Sequence, residues 1–279
     1  MMPETVDISN DTSNIHALET LTNWFDDKKK VLVALSGGVD SALVAYAAFE
    51  KLHENAIAVT ADYKTLSQEE LDSSDMICSE IGISRILLKY DELENESFAR
   101  NDSNRCFHCR VELGSRLAEL ACSQGADVIV DGTNLDDLGD YRPGIKAMQD
   151  HGIQSPLVNT NFTKKMVRDV AKYVGLSVHD RPSNSCLASR IPWGQRVTSE
   201  RLVRIELGEN LVRQLTGIRQ VRVRDIDGAA SIEVEPQHIP LLYGGPLAEI
   251  TTKLQVFGFS SVSIDQSGYR PGKINVVGD

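Results

Sequence analysis

The sequence predicts an α/β protein in which a doubly wound parallel sheet precedes a smaller α+β domain. Short apolar, β-branched runs alternate with helical patterns between residues 30 and 131, as in repeated β-α-β units. A turn rich in serine and glycine joins the first strand to the helix that follows it. After Ser199 the pattern changes to a long helix followed by alternating strands and a hairpin turn. We therefore expect a domain boundary near residue 190.

The amino-terminal segment, residues 1–12, is polar and is expected to be flexible. A helix should then run from about Asn14 to Asp27, because apolar side chains recur there at helical spacing. The parallel-sheet domain accordingly covers residues 13–190, and the α+β domain covers residues 191–279.

Four short strands are expected in the parallel sheet, each bounded by polar or turn residues. They are Lys30–Leu35, Ala56–Ala61, Ser84–Tyr90 and Asp127–Asp131. A helix at Ala42–Phe49 follows the first strand. A capping box at Ser67–Glu70 predicts another helix that ends near Ile81.

The turn S-G-G-V-D-S, between the first strand and its helix, is a candidate phosphate site. Glycine lets the backbone turn sharply, and the helix that opens after it offers N–H groups and a positive dipole end. We predict that this turn binds the phosphates of ATP through Ser36, Gly37, Gly38 and Ser41. Asp40 would help to hold Mg²⁺. The turn lacks the Gly-Lys-Ser/Thr of a Walker loop and the G-x-G-x-x-G dinucleotide pattern.

Two further strand ends should face the same crevice, because doubly wound sheets bind ligands outside the carboxyl ends of their strands. Ala61 ends the second strand. After the strand at Asp127–Asp131, Gly132 permits close backbone approach and Thr133 offers a hydroxyl. We expect all three residues to contribute to the ATP site, while a plain helix cap is an equal alternative for Gly132 and Thr133.

Composition and charge argue against several classes of protein. The chain has 279 residues, 41% of them hydrophobic and 25% charged, which is typical of globular proteins. Its net charge of -11 argues against an extended nucleic-acid surface. The start of the chain has no signal-peptide pattern and the cysteines are odd in number, so we expect a cytoplasmic protein with reduced thiols.

Two segments contain cysteines of possible chemical importance. Cys106 and Cys109 form a C-x-x-C pattern, which is compatible with a metal, a redox dithiol or an iron–sulfur cluster. Because no second pair completes a set of four ligands, we favour a structural or substrate-proximal role over a metal site. Cys186 lies in a polar, proline-bounded segment and is expected in a loop. Free cysteines are usually inert, but Arg181 and Arg190, if close in space, would favour a nucleophilic thiolate. Both interpretations of Cys186 stay open at this point.

The α+β domain is expected to begin with a helix over residues 199–215. Strands at 220–224 and 230–234 would pair across an Asp227–Gly228 turn, and a third strand is expected at 261–265. Arg222 and Arg224 project from one face of the first of these strands. Such arginines are ordinarily solvated charges at a sheet edge.

A series of motifs resembles the LarE family of ATP-dependent sacrificial sulfur transferases, within the PP-loop ATP pyrophosphatase superfamily. In chain order the motifs are S-G-G-V-D-S, N-R-C-F-H-C, D-G-T-N-x-D-D, Y-R-P-G, R-P-S-N-S-C-L-A-S-R, R-V-R and G-Y-R-P-G-K-I-N. The first motif is shared by many enzymes. The C-L-A-S-R segment and the carboxyl-terminal arginines are much more specific to this family.

The resemblance implies a reaction on pyridinium-3,5-biscarboxylic acid mononucleotide, a precursor of the nickel-pincer cofactor of lactate racemase. ATP adenylates a carboxylate of this small molecule and pyrophosphate leaves. The thiolate of Cys186 then attacks the mixed anhydride. Elimination across the cysteine Cα–Cβ bond leaves sulfur on the substrate as a thiocarboxylate, and the protein keeps dehydroalanine.

The resemblance also implies roles for particular residues. Arg222, Arg224 and Arg270 match positions that bind the substrate phosphate, for which bidentate cations are suited. Ser189 would assist them, and Glu209 matches an acidic position that holds a divalent cation near the substrate. The family further implies a homo-oligomer, a hexamer.

Four other functions stay open. Some members of the family hold an iron–sulfur cluster with three cysteines and are not consumed, but residues 180–195 contain Cys186 alone. A tRNA thiolase or an amidotransferase-type synthetase would carry the same turn; the net charge disfavours the first, and the chain length disfavours the second. A nucleotide-binding regulatory protein without catalysis is disfavoured by the presence of Asp40, Ser41 and Cys186.

Overall fold

The computed structural model describes residues 8–139, 143–182 and 184–270, with side chains from residue 11. The expected features at Tyr141–Arg142, Ser183 and Pro271–Asn275 lie outside the described residues. Within those described ranges, no helix is long and apolar enough to cross a membrane.

The described residues form ten α-helices and seven β-strands. The helices are α1 (Ile8–Asn23), α2 (Val39–Leu52), α3 (Gln68–Ile81), α4 (Glu96–Ala99), α5 (Arg105–Gln124), α6 (Pro143–Asp150), α7 (Pro156–Asn159), α8 (Lys164–Tyr173), α9 (Ser199–Thr216) and α10 (Gly245–Val256). The strands are β1 (Val31–Ala34), β2 (Ala56–Asp62), β3 (Ser84–Lys89), β4 (Val128–Val130), β5 (Val221–Ile226), β6 (Ala229–Val234) and β7 (Val262–Ile264).

Packing divides the described chain into two compact units, each built from separate stretches. The first comprises residues 8–62, 68–90, 107–139 and 143–182, and the second comprises residues 63–67, 91–106 and 184–270. Two early segments join the second unit because their carbonyls bind its later backbone: Thr65 accepts from Leu187 N at 2.9 Å, and Ala99 accepts from Val197 N at 2.9 Å. The boundary that we expect near residue 190 falls inside the last stretch of the second unit.

The first unit contains the predicted parallel sheet, with strand order β3-β2-β1-β4. Its strands are covered on both faces, as in doubly wound folds. Val31 and Val33 belong to a core cluster that includes residues of α2 and α8. Leu32, which points to the opposite face, packs with residues of α5 such as Leu113. The α/β fold class is therefore confirmed.

The second unit contains a three-stranded sheet of order β5-β6-β7. β5 and β6 pair antiparallel across Asp227 and Gly228, whose φ values of 47° and 86° suit a hairpin turn. The expectation that Arg222 and Arg224 are solvated at an edge is wrong, because their side chains are buried. Their β5 strand pairs along one edge with β6, and it packs against α9 and against the segment Leu187–Arg190.

The first helix differs from its expected bounds. α1 begins at Ile8, inside the segment 1–12 that we expect to be flexible, and it ends at Asn23 rather than near Asp27. After Asn23 the chain tightens into turns, since Trp24 N donates to Leu21 O at 3.3 Å and Phe25 N donates to Thr22 O at 3.1 Å. Trp24 and Phe25 contribute to the core from this turn rather than from the helix.

Candidate functional site

The S-G-G-V-D-S turn connects β1 to α2 at the carboxyl end of a central strand. Gly37 has a φ of +84°, and a Cβ at this position would lie 2.5 Å from the carbonyl oxygen of Glu70. The Ser41 hydroxyl accepts from Ser36 N at 3.2 Å and donates to Gly38 O at 3.1 Å. The turn is therefore closed on itself, with the amino terminus of α2 at its end. This geometry can receive an anion.

The strand ends predicted to join this turn lie along the same edge of the sheet, because β1, β2 and β4 are parallel neighbours. The close approach predicted at Gly132 is present, since a Cβ there would lie 2.6 Å from Ser41 N. The Thr133 hydroxyl donates to Asp131 at 2.9 Å, and Ala61 lies next to the last residue of β2. Binding of ATP by Ala61, Gly132 and Thr133 stays a prediction.

Asp40 is held by residues from two later segments. Its carboxylate accepts from Asn134 Nδ2 at 3.0 Å and forms an ion pair with Lys164 at the start of α8. A carboxylate at this helix terminus suits Mg²⁺, which prefers oxygen ligands. Lys164 and a metal ion would compete for the same carboxylate. The sequence offered no signal for Lys164 beyond its place after the helix-capping Thr163.

The two arginines considered as neighbours of Cys186 have different partners. Arg181 donates to Gly37 O at 2.9 Å and to the Glu70 carboxylate at 3.1 Å, so it braces the S-G-G-V-D-S turn within the first unit. Arg190 belongs to the second unit and contacts the backbone of Cys186. Arg190 is therefore the arginine that bears on this cysteine.

Cys186 lies in a loop, as expected, and is followed by a single 3₁₀ turn, Leu187–Arg190. Its side chain is half-buried and makes no capping hydrogen bond. The Arg190 side chain is fully buried and donates through Nη1 to Cys186 O at 3.1 Å. It also donates through Nη2 to Asn184 Oδ1 at 3.0 Å. Because Nη1 also donates to Ser185 O at 2.5 Å, one guanidinium fixes the backbone carbonyls of both Ser185 and Cys186.

Two buried residues from the second unit's earlier stretch support this loop. Arg105 Nη1 donates to Ala188 O at 2.8 Å and to Asn101 Oδ1 at 2.6 Å. Asn101 Nδ2 in turn donates to Pro192 O at 2.8 Å. Sequence reasoning missed both roles, although Arg105 belongs to the N-R-C-F-H-C motif, which was the available signal.

Glu209 accepts hydrogen bonds on both carboxylate oxygens. Arg190 donates to them at 2.8 and 3.1 Å, Arg213 at 3.1 Å and Val223 N at 3.2 Å. Burial raises the pKa of Glu209, but the charge of Arg190 and its hydrogen bonds outweigh burial, and the net pKa lies below the ordinary value. A divalent cation would have to share or displace these donors, so the metal role of Glu209 stays a prediction.

Of the predicted phosphate-binding residues, Arg224 lies beside the cysteine loop. It donates to Ser189 O at 2.8 Å and pairs with Glu233 at 2.8 Å. Arg222 is buried with its guanidinium 5.3 Å from the centre of the Tyr269 ring. Burial, together with repulsion from Arg190, lowers the pKa of Arg222 to about 10, so it stays charged at neutral pH.

Arg270 is exposed. Ser189 contributes its hydroxyl to a cluster with Ser185 Oγ at 2.8 Å and Arg190 Nη1 at 3.0 Å. The structure therefore brings Cys186, Ser189 and Arg224 into one network around Arg190. Substrate binding by Ser189, Arg222, Arg224 and Arg270 stays a prediction.

The other cysteines differ in exposure. Cys106 is exposed and Cys109 is half-buried, both near the start of α5. Within the described ranges, no group of three or more Cys, His, Asp and Glu side chains is arranged to hold a metal ion. Cys78 is buried, and burial raises the pKa of its thiol to about 11, which makes it a poor nucleophile.

Comparison with known proteins relates this geometry to ATP-dependent chemistry. A family model described as "Queuosine biosynthesis protein QueC" matches residues 30–104, which include the S-G-G-V-D-S turn. An uncharacterised protein of Synechocystis is 40% identical over 261 residues, 93% of this chain and 97% of the relative. The pyridinium-3,5-bisthiocarboxylic acid mononucleotide synthase of Lactiplantibacillus plantarum is 31% identical over 259 residues, 92% of each chain.

A more distant relative shares only part of the chain. The tRNA-specific 2-thiouridylase MnmA of Clostridium botulinum is 25% identical over 191 residues, which cover 55% of this chain and 53% of the relative. The synthase of Lactiplantibacillus plantarum therefore matches both compact units, whereas the thiouridylase matches little more than half of the chain.

Proposed function

Because this chain belongs to the LarE family of PP-loop sulfur-transfer enzymes, we propose that it thiolates pyridinium-3,5-biscarboxylic acid mononucleotide with sulfur from its own Cys186. Use of ATP is supported by the matches to PP-loop enzymes. The products would be AMP, pyrophosphate and the thiocarboxylate precursor of the nickel-pincer cofactor of lactate racemase.

The proposed reaction assigns separate tasks to the two units. The S-G-G-V-D-S turn of the first unit binds the ATP phosphates, and Asp40 would hold Mg²⁺, which neutralises charge on departing pyrophosphate. In the second unit, Arg222 and Arg224 bind the substrate phosphate. The Cys186 thiolate attacks the acyl adenylate and releases AMP. Adenylation is needed because a free carboxylate is a poor electrophile.

The observation that carries this proposal is the setting of Cys186. It is a half-buried free cysteine in a polar loop whose backbone is fixed by the buried Arg190. Cys78, by contrast, is buried among the apolar residues of the first unit. A cysteine that only packs would be expected in the second kind of setting.

The test is the intact mass of the protein before and after incubation with ATP, Mg²⁺ and the substrate. We expect the chain to lose one hydrogen sulfide equivalent, localised to Cys186, and to deliver no more than one sulfur. Cys186→Ala should bind ATP and transfer no sulfur, whereas Cys122→Ala, at an exposed cysteine, should behave like the unaltered chain. Repeated turnover with unchanged mass would support the iron–sulfur alternative instead.

A further inference from the structure

We propose that Arg190 is a catalytic residue of the elimination step: its guanidinium stabilises the enolate that forms on the Cys186 carbonyl oxygen when the Cα proton leaves. This inference rests on the proposed function, because it concerns the fate of the same cysteine. It assigns to Arg190 a chemical task beyond holding the loop.

The geometry supplies the donor. Arg190 Nη1 lies 3.1 Å from Cys186 O, within hydrogen-bond distance of the atom that would carry the negative charge. The Arg190 side chain is fully buried, and its contact with Cys186 O is partly buried. Nη1 also donates to Ser185 O at 2.5 Å and to Ser189 Oγ at 3.0 Å, so developing charge on Cys186 O would draw this donor away from neutral acceptors. Charged donors make stronger hydrogen bonds than neutral ones, most of all in a dry environment.

The donor is also preorganised. Glu209 accepts from both Nε and Nη2 of Arg190, which fixes the plane of the guanidinium and leaves Nη1 to the loop. Burial alone would lower the pKa of Arg190, but the charge of Glu209 outweighs burial and raises it. Arg190 therefore stays protonated throughout the pH range in which the enzyme can work.

The step itself is balanced without an oxidant. Once AMP has left, the substrate acyl group is attached to Cys186 Sγ as a thioester. A general base accepts the Cα proton, and the electron pair of that bond is delocalised onto Cys186 O as the enolate. The pair then returns to form the Cα=Cβ double bond. The Cβ–Sγ bond breaks and its electron pair leaves with sulfur as the thiocarboxylate. The Cα proton of a peptide is a weak acid, so stabilising charge on the adjacent carbonyl lowers this barrier directly.

The first experiment separates elimination from the earlier steps in a single turnover of Arg190→Lys, which keeps a positive charge beside Glu209. We expect AMP release at nearly the unaltered rate, with accumulation of the protein–substrate thioester by mass and elimination slower by about 100-fold, as for loss of an oxyanion donor. Deuterium at Cα of cysteine should then slow product formation.

The matched control is Arg213→Lys, which alters another arginine paired with Glu209. This variant should release AMP and eliminate sulfur from Cys186 at rates comparable with those of the unaltered chain. The thioester should not accumulate. If Arg190→Lys slows AMP release and product formation equally, Arg190 only maintains the structure and the proposal is overturned. If the unaltered chain releases no AMP, the proposed function fails instead.

The second experiment needs neither ATP nor substrate. An α,α′-dibromo diamide converts an accessible cysteine to a cyclic sulfonium, which leaves by β-elimination. We expect elimination from Cys186 of the folded, unaltered chain to exceed elimination from exposed Cys122, and the excess to vanish in denaturant. This comparison holds even if Arg190→Lys fails to fold. Equal rates at the two cysteines in the folded chain would overturn the proposal.

Discussion

Glu209 is the residue on which the geometry around Cys186 most depends. It is buried, pairs with Arg190 and Arg213, and accepts from the backbone of β5. Removing one partner of a buried ion pair leaves the other charge without compensation. The Glu209 carboxylate therefore links the cysteine loop to the β5 strand, in addition to the bond from Arg224 to Ser189 O.

We predict that Glu209→Gln lowers the free energy of unfolding by about 3–5 kcal/mol at neutral pH, because Arg190 stays buried without its counter-charge. Denaturant unfolding of both proteins would measure this. A matched change is Glu96→Gln, which breaks the exposed pair with Arg196 and should change the free energy of unfolding far less, because solvent screens that pair. Equal, small losses in the two variants would contradict the structural role of Glu209.

The same pair predicts a dependence on pH. The pKa of Glu209 in the folded chain lies below its ordinary value of 4.5. Its stabilising contribution is therefore complete above about pH 4.5 and is lost as the pH falls through the folded-state pKa. The difference between the unaltered chain and Glu209→Gln should shrink on acidification. A difference that grows with acid would show that the carboxylate is not held in its ionised form.

For the substrate site, we predict that Arg224→Lys weakens binding of the pyridinium mononucleotide by at least tenfold, because lysine cannot replace a bidentate contact with phosphate. ATP affinity should be nearly unchanged. Calorimetric titration with each ligand measures both. Arg204→Lys, which alters a pair with Asp225 in the same unit, is the control. Equal loss of both ligands in Arg224→Lys would argue against a role in phosphate binding.

For individual residues, the sequence predicted which residues form the candidate site better than it predicted their burial. Cys186, Ser189, Arg222 and Arg224 came from motifs, but the alternation in β5 suggested that its arginines face solvent. They are buried because α9 and the segment Leu187–Arg190 pack against the strand, and this long-range packing leaves no local signal. The ion pair of Lys164 with Asp40 depends in the same way on residues far apart in the chain.

Among the elements, the β1–α2 turn makes the strongest conformational demand. Gly37 has a positive φ and faces the carbonyl of Glu70. Gly38 has a φ of -92°, and a Cβ there would meet only Ser36 Oγ, at an ordinary contact distance of 3.7 Å. The two adjacent glycines therefore differ sharply in their tolerance of a methyl group.

We predict that Gly37→Ala lowers the free energy of unfolding by about 1–3 kcal/mol, from backbone strain and collision with Glu70. Gly38→Ala should change it by less than about 1 kcal/mol. Thermal or denaturant unfolding of the two variants tests the difference. Similar stability in both would mean that the turn does not require a left-handed residue at Gly37.

Element types were largely predictable because local patterns determine them. The four strands of the first sheet, the helix at Gln68–Ile81 and the hairpin at Asp227–Gly228 lie close to their expected positions. The bounds of α1 were not predictable, because the polar residues before Asn14 carry no helical pattern of their own. That run is helical as an extension of a segment that packs through Leu18 and Leu21.

For the whole molecule, the net charge of -11 bears on whether this chain binds tRNA. We predict no retention of tRNA in a mobility-shift titration at low salt, because phosphate neutralisation requires clustered basic residues. The thiouridylase of Clostridium botulinum, a tRNA-specific enzyme by its name, serves as the positive control. Salt-dependent binding of tRNA to this chain would favour a thiolase instead.

The division into two discontinuous units is the feature that the sequence predicted least well. A boundary near residue 190 treats each domain as one continuous stretch, whereas segments 63–67 and 91–106 belong to the second unit. The two segments are bound to each other, since the buried Glu92 carboxylate accepts from Lys64 N at 2.9 Å and from Thr65 N at 2.7 Å, and to the later chain through Thr65 O and Ala99 O. Such contacts join short polar segments whose composition resembles ordinary loops.

The contacts that hold the Cys186 loop also determine whether the protein stays folded after it has lost its sulfur. Arg190 fixes this loop through carbonyl oxygens and the Asn184 amide, and the Cys186 side chain makes no capping hydrogen bond. Under the proposed reaction, loss of sulfur would leave these contacts in place. The used protein would then stay folded but unable to react again, so that the number of newly made chains, rather than the catalytic rate, would govern how much cofactor a cell can make.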